Sequence, residues 1–348
     1  MLIVEKLFLV MFKKKIVLIL VKIKELKQIR SFKYKIWCNS CNTEIGGKMK
    51  TIAFVGMMHY FKCTIPRQLP GFKIYEINVT YEYNDPTRYQ ACLELNEKEK
   101  IDYWVFFRGE YVPQEIMCSL QGKKINISTE PLGREDIQRM YLGANKPFFL
   151  EHFKQFDYFT HYDFTEINNL KIQGFNVDSA FALPVDVDTY KPVNLKKLWD
   201  VVFLGRGTTR RNCAMGPIKK DFNVLHIDNG CFDDEAVRVY NMSRIGLNMN
   251  VAGFPQNQHR VFNMMACGLP IISDKMSHTD WLKPDDEKYF EFMSDLDGVN
   301  LYKKVESMLE DTSIPLKMRG QISRRIAVNQ FNASKNWAGL IEKVEMKE

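Results

Sequence analysis

Pro255-Gln-Asn-Gln-His-Arg-Val-Phe-Asn-Met-Met-Ala-Cys-Gly-Leu-Pro-Ile-Ile-Ser-Asp274 is the stretch that decides the fold. Val261, Phe262, Met264 and Met265 recur as one packed helical face over 258–267, and Gly268 stands where a left-handed cap would close that helix. The run from Leu269 to Ile272 is apolar enough for a central parallel strand. Helix, glycine turn and buried strand in this order form part of a parallel α/β unit. Arg260 and Asn263, three residues apart, share a helix face, and as polar residues they are the ones free to meet a ligand.

Working outward, the same alternation repeats along the chain. Strands are expected at 51–55, 73–79, 102–107, 124–128, 157–161 and 180–183, with helices at 86–96, 134–142 and 164–172. The piece 183–192 loses periodicity to prolines and acids and reads as a linker. Beyond it, strands are expected at 200–204, 223–227, 245–250 and 270–273, with helices at 234–242 and 258–267. The tail from residue 294 reads as helical, and Trp337, Leu340, Ile341 and Val344 have the spacing of a helix that docks on something. The expected architecture is α/β: two Rossmann-like doubly wound domains facing a cleft, with a helical C-terminal tail. The boundaries are a basic extension at 1–48, a first domain at 49–188, a second at 189–330 and a returning helix at 331–348.

At 348 residues the chain exceeds one ordinary hydrophobic core, which agrees with two domains. Its charge of +7 is unevenly spread. Residues 1–48 hold eleven Lys or Arg against three acids, so the remainder is close to neutral. A neutral body disfavours nucleic acid as a partner. Within the extension, Lys13-Lys14-Lys15 splits two apolar runs that are each too short to span a bilayer. It reads either as an amphipathic anchor for peripheral membrane contact or as an appendage to a domain that begins naturally at Met49. Cys38-Asn-Ser-Cys41 has half the spacing of a zinc site without a second pair. The eight cysteines show no disulfide-like spacing, so a reducing cytoplasm is expected.

The opening stretch resembles the C-terminal nucleotide-binding motif of GT-B glycosyltransferases, in particular those related to the spore maturation protein CgeB. Asn257, Arg260-Val261-Phe262, Ala266-Cys267-Gly268 and Asp274 match that pattern, while Asn263 stands where the family carries Glu. The resemblance implies a transferase that moves a sugar from a nucleotide-diphosphate sugar to an acceptor, which could be a glycan, a protein or a small molecule. The same resemblance places the Gly205-Arg206-Gly207 turn and the Arg260 helix on opposite sides of one donor site. No cofactor is expected, the nucleotide sugar being a substrate. The chain is expected to lack the Asp-x-Asp triplet of metal-dependent GT-A transferases, so no metal is expected either. A nucleotide-sugar epimerase and a non-catalytic nucleotide-sugar-binding or partner-binding module remain as alternatives.

From the residues themselves, Gly205 after an expected strand lets backbone amides approach a phosphate, and Arg206 and Arg210 offer paired donors. Spacing favours Arg210 over Arg211. With Arg260 they would neutralise a diphosphate whose charge grows as the glycosidic bond breaks. Asn263 would meet the ribose with one acceptor and no charge assistance. Gly56 and His59 follow the first strand at the edge where doubly wound sheets bind ligands, and His59 is a candidate base. Glu130 is its rival at the end of a later strand, His161 a third candidate. His259 points either into the cleft or away from it.

Overall fold

The computed structural model describes residues 36–39 (backbone only), 49–80, 85–129, 151–251, 258–294 and 297–347. The helix expected over 134–142, Cys41 and most of the basic extension lie outside these residues. The first sheet contains β1 (Ile36–Asn39), β2 (Lys50–Gly56), β3 (Phe72–Asn78), β4 (Tyr103–Phe107), β5 (Lys123–Ser128), β6 (Tyr158–His161) and β7 (Ser179–Ala180). Their spatial order is β1-β3-β2-β4-β5-β6-β7, parallel throughout except for β1 against β3. The second sheet is wholly parallel, in the order β12-β11-β10-β8-β9. It contains β8 (Trp199–Leu204), β9 (Val224–Ile227), β10 (Ser243–Asn248), β11 (Ile271–Asp274) and β12 (Glu291–Met293).

The helices are α1 (Gln90–Lys98), α2 (Gln114–Ser119), α3 (Glu166–Ile172), α4 (Thr209–Asp221), α5 (Asp233–Asn241), α6 (His259–Ala266), α7 (Gly298–Glu310), α8 (Leu316–Gln330) and α9 (Ala333–Met346), besides single turns at Met58–Phe61 and Pro284–Glu287. None of the described helices is long and apolar enough to cross a membrane.

Alternation along each strand divides the core. In β2, Ala53 and Val55 pack with Cys92, Leu95, Ile116 and Leu170 from α1, α2 and α3, while Ile52 and Phe54 pack with Trp337, Leu340 and Ile341 from α9. In β8, Val202 belongs to the layer of α5, α6 and α8, and Val201 and Phe203 to that of α4 and α7. Both sheets are therefore covered on two faces, which is what a parallel sheet without alternating polarity requires. This is the two-Rossmann GT-B architecture.

Three departures from expectation have physical reasons. Four residues assigned to the basic extension form β1, paired from Ile36 with Ile77 to Asn39 with Ile74; without it β3 would be an open edge with unpaired amides. The strand expected at 180–183 keeps only two paired residues, Ser179 and Ala180, because the chain then turns into the linker. Helix α4 went unread because Gly216 and Pro217 break its pattern. Pro217 is tolerated inside it, and its ring abuts Gly298, where an added Cβ would stand 2.8 Å from Pro217 Cγ.

The chain crosses between the sheets twice, and the crossings run side by side. Val185 N donates to Phe331 O at 2.8 Å and Ala333 N to Val185 O at 2.9 Å. After the second crossing α9 returns to the first sheet, where Trp337 meets Phe54 edge-on at 4.8 Å between ring centroids. Trp337 Nε1 also donates to Thr64 O at 2.7 Å. Glu345 ties the helix end to Lys50 and Tyr103.

Candidate functional site

The two sheets present the carboxyl ends of their strands to each other. On the second, β8 ends at Leu204 and the chain turns through Gly205, whose amide donates to Ile227 O at 2.9 Å. Gly207 N donates to Asp228 Oδ1 at 2.8 Å. The Thr208 side chain caps α4.

Four arginines gather here. Arg206 is exposed and has no ion pair among the described residues. Arg210 grips Asp274, at the end of β11, through Nη1 at 2.8 Å and Nη2 at 2.7 Å. Asp274 Oδ2 also accepts from Asn250 N at 2.6 Å. Arg211 is buried and donates to Met249 O and Arg206 O. Arg260 donates to Leu204 O at 3.0 Å and reaches Gln258 Oε1 at 3.4 Å. Both Arg211 and Arg260 lie against the Phe203 ring, 5.2 and 5.3 Å from its centroid. Burial, followed by repulsion from Arg260, pulls the Arg211 guanidinium down to about 9. Burial lowers Arg260 as well.

Arg260 and Asn263 leave the same helix in different directions. Asn263 is 6 % exposed and its amide lies close enough to Cys63, which follows the Met58–Phe61 turn of the first sheet, to oppose the effect of burial on that thiol. Its Oδ1 meets no partner among the described residues. The residue is thus a buried group between the two halves of the molecule and not a residue on a solvent-facing helix surface. Burial pushes the Cys63 thiol up to about 12, which keeps it protonated. His259, beside Arg260, is brought down to about 4, mainly by burial and then by the Arg260 charge.

On the facing side, β2 ends at Gly56, whose carbonyl accepts from Val79 N at 2.9 Å. Asn78 Oδ1 then receives Met58 N at 2.9 Å, which fixes the turn carrying His59. The His59 ring lies 4.1 Å from Tyr60 and 5.3 Å from Phe232 of the second half. His59 remains exposed at its outer edge, but the rings beside it partly desolvate the imidazole and lower its pKa, so it is neutral near pH 7. His161 is fully buried and its Nδ1 is 3.1 Å from Asp163 N, engaged within its own turn. Glu130 and Asn257 lie outside the described residues.

The roles of three features are not legible in the sequence. Arg211 and not Arg210 is the neighbour without a carboxylate, a distinction that only the position of Asp274 could make. Asp233 opens α5 with φ 47°, a left-handed conformation that ordinary residues avoid and that accompanies functional sites. Burial raises its pKa, with Lys62 opposing. The triplet Asp186-Val187-Asp188 does have the Asp-x-Asp spacing, but Asp186 takes the Thr189 hydroxyl and Asp188 N, closing a turn of the linker. Among the described residues no three His, Cys, Asp or Glu converge as metal ligands.

Residues 202–342 match the family model described as "Glycosyl transferase-like". No curated protein sequence matches the chain. Among solved structures, the chain is similar to the sucrose-phosphate synthase of Thermosynechococcus elongatus at 12 % identity and TM-score 0.58, covering 86 % of this chain and 100 % of that one. Anabaena HepE, solved with UDP-glucose, is similar at 8 % identity and TM-score 0.55, covering 85 % and 99 %. A glycosyltransferase of Rickettsia africae gives 10 %, 0.55, 86 % and 99 %. At these identities the likeness is one of fold.

Proposed function

We propose that this protein is a glycosyltransferase that takes a hexosyl group from a nucleotide-diphosphate sugar held against the second sheet and transfers it to an acceptor on the first. One observation carries the reading. Among the described residues, Arg211 and Arg260 are enclosed cations whose hydrogen bonds go to neutral oxygens, with exposed Arg206 at the same turn. Holding such charge out of water is costly unless an anion completes it. A diphosphate beside the Gly205 turn supplies that anion. The match of residues 202–342 to a glycosyl transferase-like family supports the same reading, as does a fold shared with HepE, which was solved with UDP-glucose.

In this reaction the bond between the anomeric carbon and the diphosphate oxygen breaks, and a bond from that carbon to the acceptor oxygen forms. Negative charge grows on the departing diphosphate, where Arg206 and Arg260 stabilise it without needing a metal. The acceptor hydroxyl proton passes to a base, for which the neutral His59 is placed at the cleft. The motif around Arg260 favours a CgeB-like member. The free cysteines at 63, 92, 118, 213, 231 and 267 among the described residues fit work in the cytoplasm, and residues 1–48 would supply contact with an anionic membrane surface.

Calorimetric titration with UDP, GDP and dTDP tests the site. Arg260→Ala is expected to weaken diphosphate binding by about 2 kcal/mol or more, the scale of a lost charge-assisted contact. Unchanged binding of all three would put the diphosphate elsewhere.

A further inference from the structure

A separate cavity of about 450 Å³ opens where the end of β7 at Ala180–Ala182, the loop after β11 and α9 meet. None of the four arginines lines it. Its walls include Phe164, Trp281 and Phe331, and its rim carries Lys335 and Lys343. No carboxylate lines it, and neither lysine has an ion pair among the described residues. Phe164 is 39 % exposed, although it stacks on His278 of the opposite half at 4.1 Å between centroids and 17° between planes.

The floor of the cavity supplies an independent observation. Gly339 lies inside α9, midway between Lys335 and Lys343, so the three residues form one stripe at i, i+4 and i+8. Glycine is a poor residue for a helix interior. Packing does not demand it here, because a Cβ at 339 would meet nothing within 4 Å. What the missing side chain leaves is open volume between two unpaired cations.

We infer that this cavity is a second ligand site, distinct from the donor site, for a small organic anion. A flat apolar body lies against Phe164, Trp281 and Phe331, and one sulfonate, carboxylate or phosphate group meets the ammonium groups beside Gly339. Cavities of this size suit ligands of small-molecule scale. The apolar walls supply burial and the lysines select the sign of the charge.

Fluorescence titration of the full chain with 8-anilino-1-naphthalenesulfonate, with and without saturating UDP, tests the inference. One dye per chain is expected, undisplaced by UDP. Gly339→Leu, which fills the open volume with a better helix former, should weaken dye binding at least tenfold without lowering the melting temperature. Replacing both lysines, Lys335→Gln with Lys343→Gln, should weaken it about fivefold at low salt and flatten its salt dependence, while the uncharged N-phenyl-1-naphthylamine binds as before. Dye displacement by UDP, absence of dye binding, or binding unaffected by Gly339→Leu or by the lysine pair would each overturn the inference.

Discussion

The guanidinium of Arg260 occupies the space in which a side chain at Gly205 would stand: an added Cβ would lie 2.6 Å from Arg260 Nη1. The turn and the helix of the proposed donor site are thus fitted to each other, and glycine at 205 is required by a side chain 55 positions away. Gly205→Ala should push the guanidinium off Leu204 O and reduce UDP affinity about tenfold or more, approaching Arg260→Ala. The double variant should lose little beyond the single ones, since both remove one arrangement. Additive losses in calorimetry would separate the two residues.

Asp274 is the partner that holds Arg210. Its side chain is buried and receives two guanidinium donors and one amide. Asp274→Asn removes the carboxylate charge that Arg210 grips beside Arg211. The expected loss is about 3 kcal/mol of unfolding free energy, the scale for breaking one side of a buried pair. Urea unfolding with an unchanged m-value measures it; a loss below about 1 kcal/mol would make the pair a surface one.

Asn263 offers an Oδ1 that meets no partner among the described residues, at the position where the sequence resemblance leads one to expect Glu. An amide acceptor cannot give charge assistance to both ribose hydroxyls. Asn263→Glu should therefore tighten UDP relative to 2′-deoxy-UDP by about 1 to 2 kcal/mol. The double difference over both ligands and both proteins isolates the contact. A value near zero would make Asn263 a packing residue beside Cys63.

The enclosed His259 predicts a pH dependence. Its folded pKa of about 4 lies below the ordinary value of about 6.5, so between these values the unfolded chain binds the extra proton. Stability contributed by the neutral ring is present above pH 6.5 and is lost on acidification toward pH 4. His259→Gln should lose less stability between pH 7 and pH 5 than the parent, by on the order of 1 kcal/mol, since the ring is partly reached by solvent. Parallel pH profiles for the two proteins would show that the ring is not held neutral.

The stretch from Arg260 to Asp274 was legible because local signals agreed: a packed helical face, a left-handed glycine and an apolar strand. Gly268 has φ 71°, and the elements formed within a residue or two of expectation. What escaped depends on tertiary neighbours. Nothing in the spacing of Arg210 and Arg211 says which one Asp274 will claim, and Pro217 reads as a helix breaker until Gly298 is seen to make room for it. Asp233 looks like an ordinary helix-start acid; its left-handed backbone and burial arise only in the fold. Strand β1 escaped because its four residues gain their role from the exposed edge of β3.

The return of α9 to the first sheet sets an order of events during synthesis. The strands carrying Phe54 and Phe107 leave the ribosome long before Trp337, the residue that covers them from α9. The whole of the second sheet is made in the interval. The half of the molecule that is translated first is therefore the half whose core is completed last, and until residues 333–346 arrive an apolar sheet face waits uncovered for a chaperone or for a wrong neighbour.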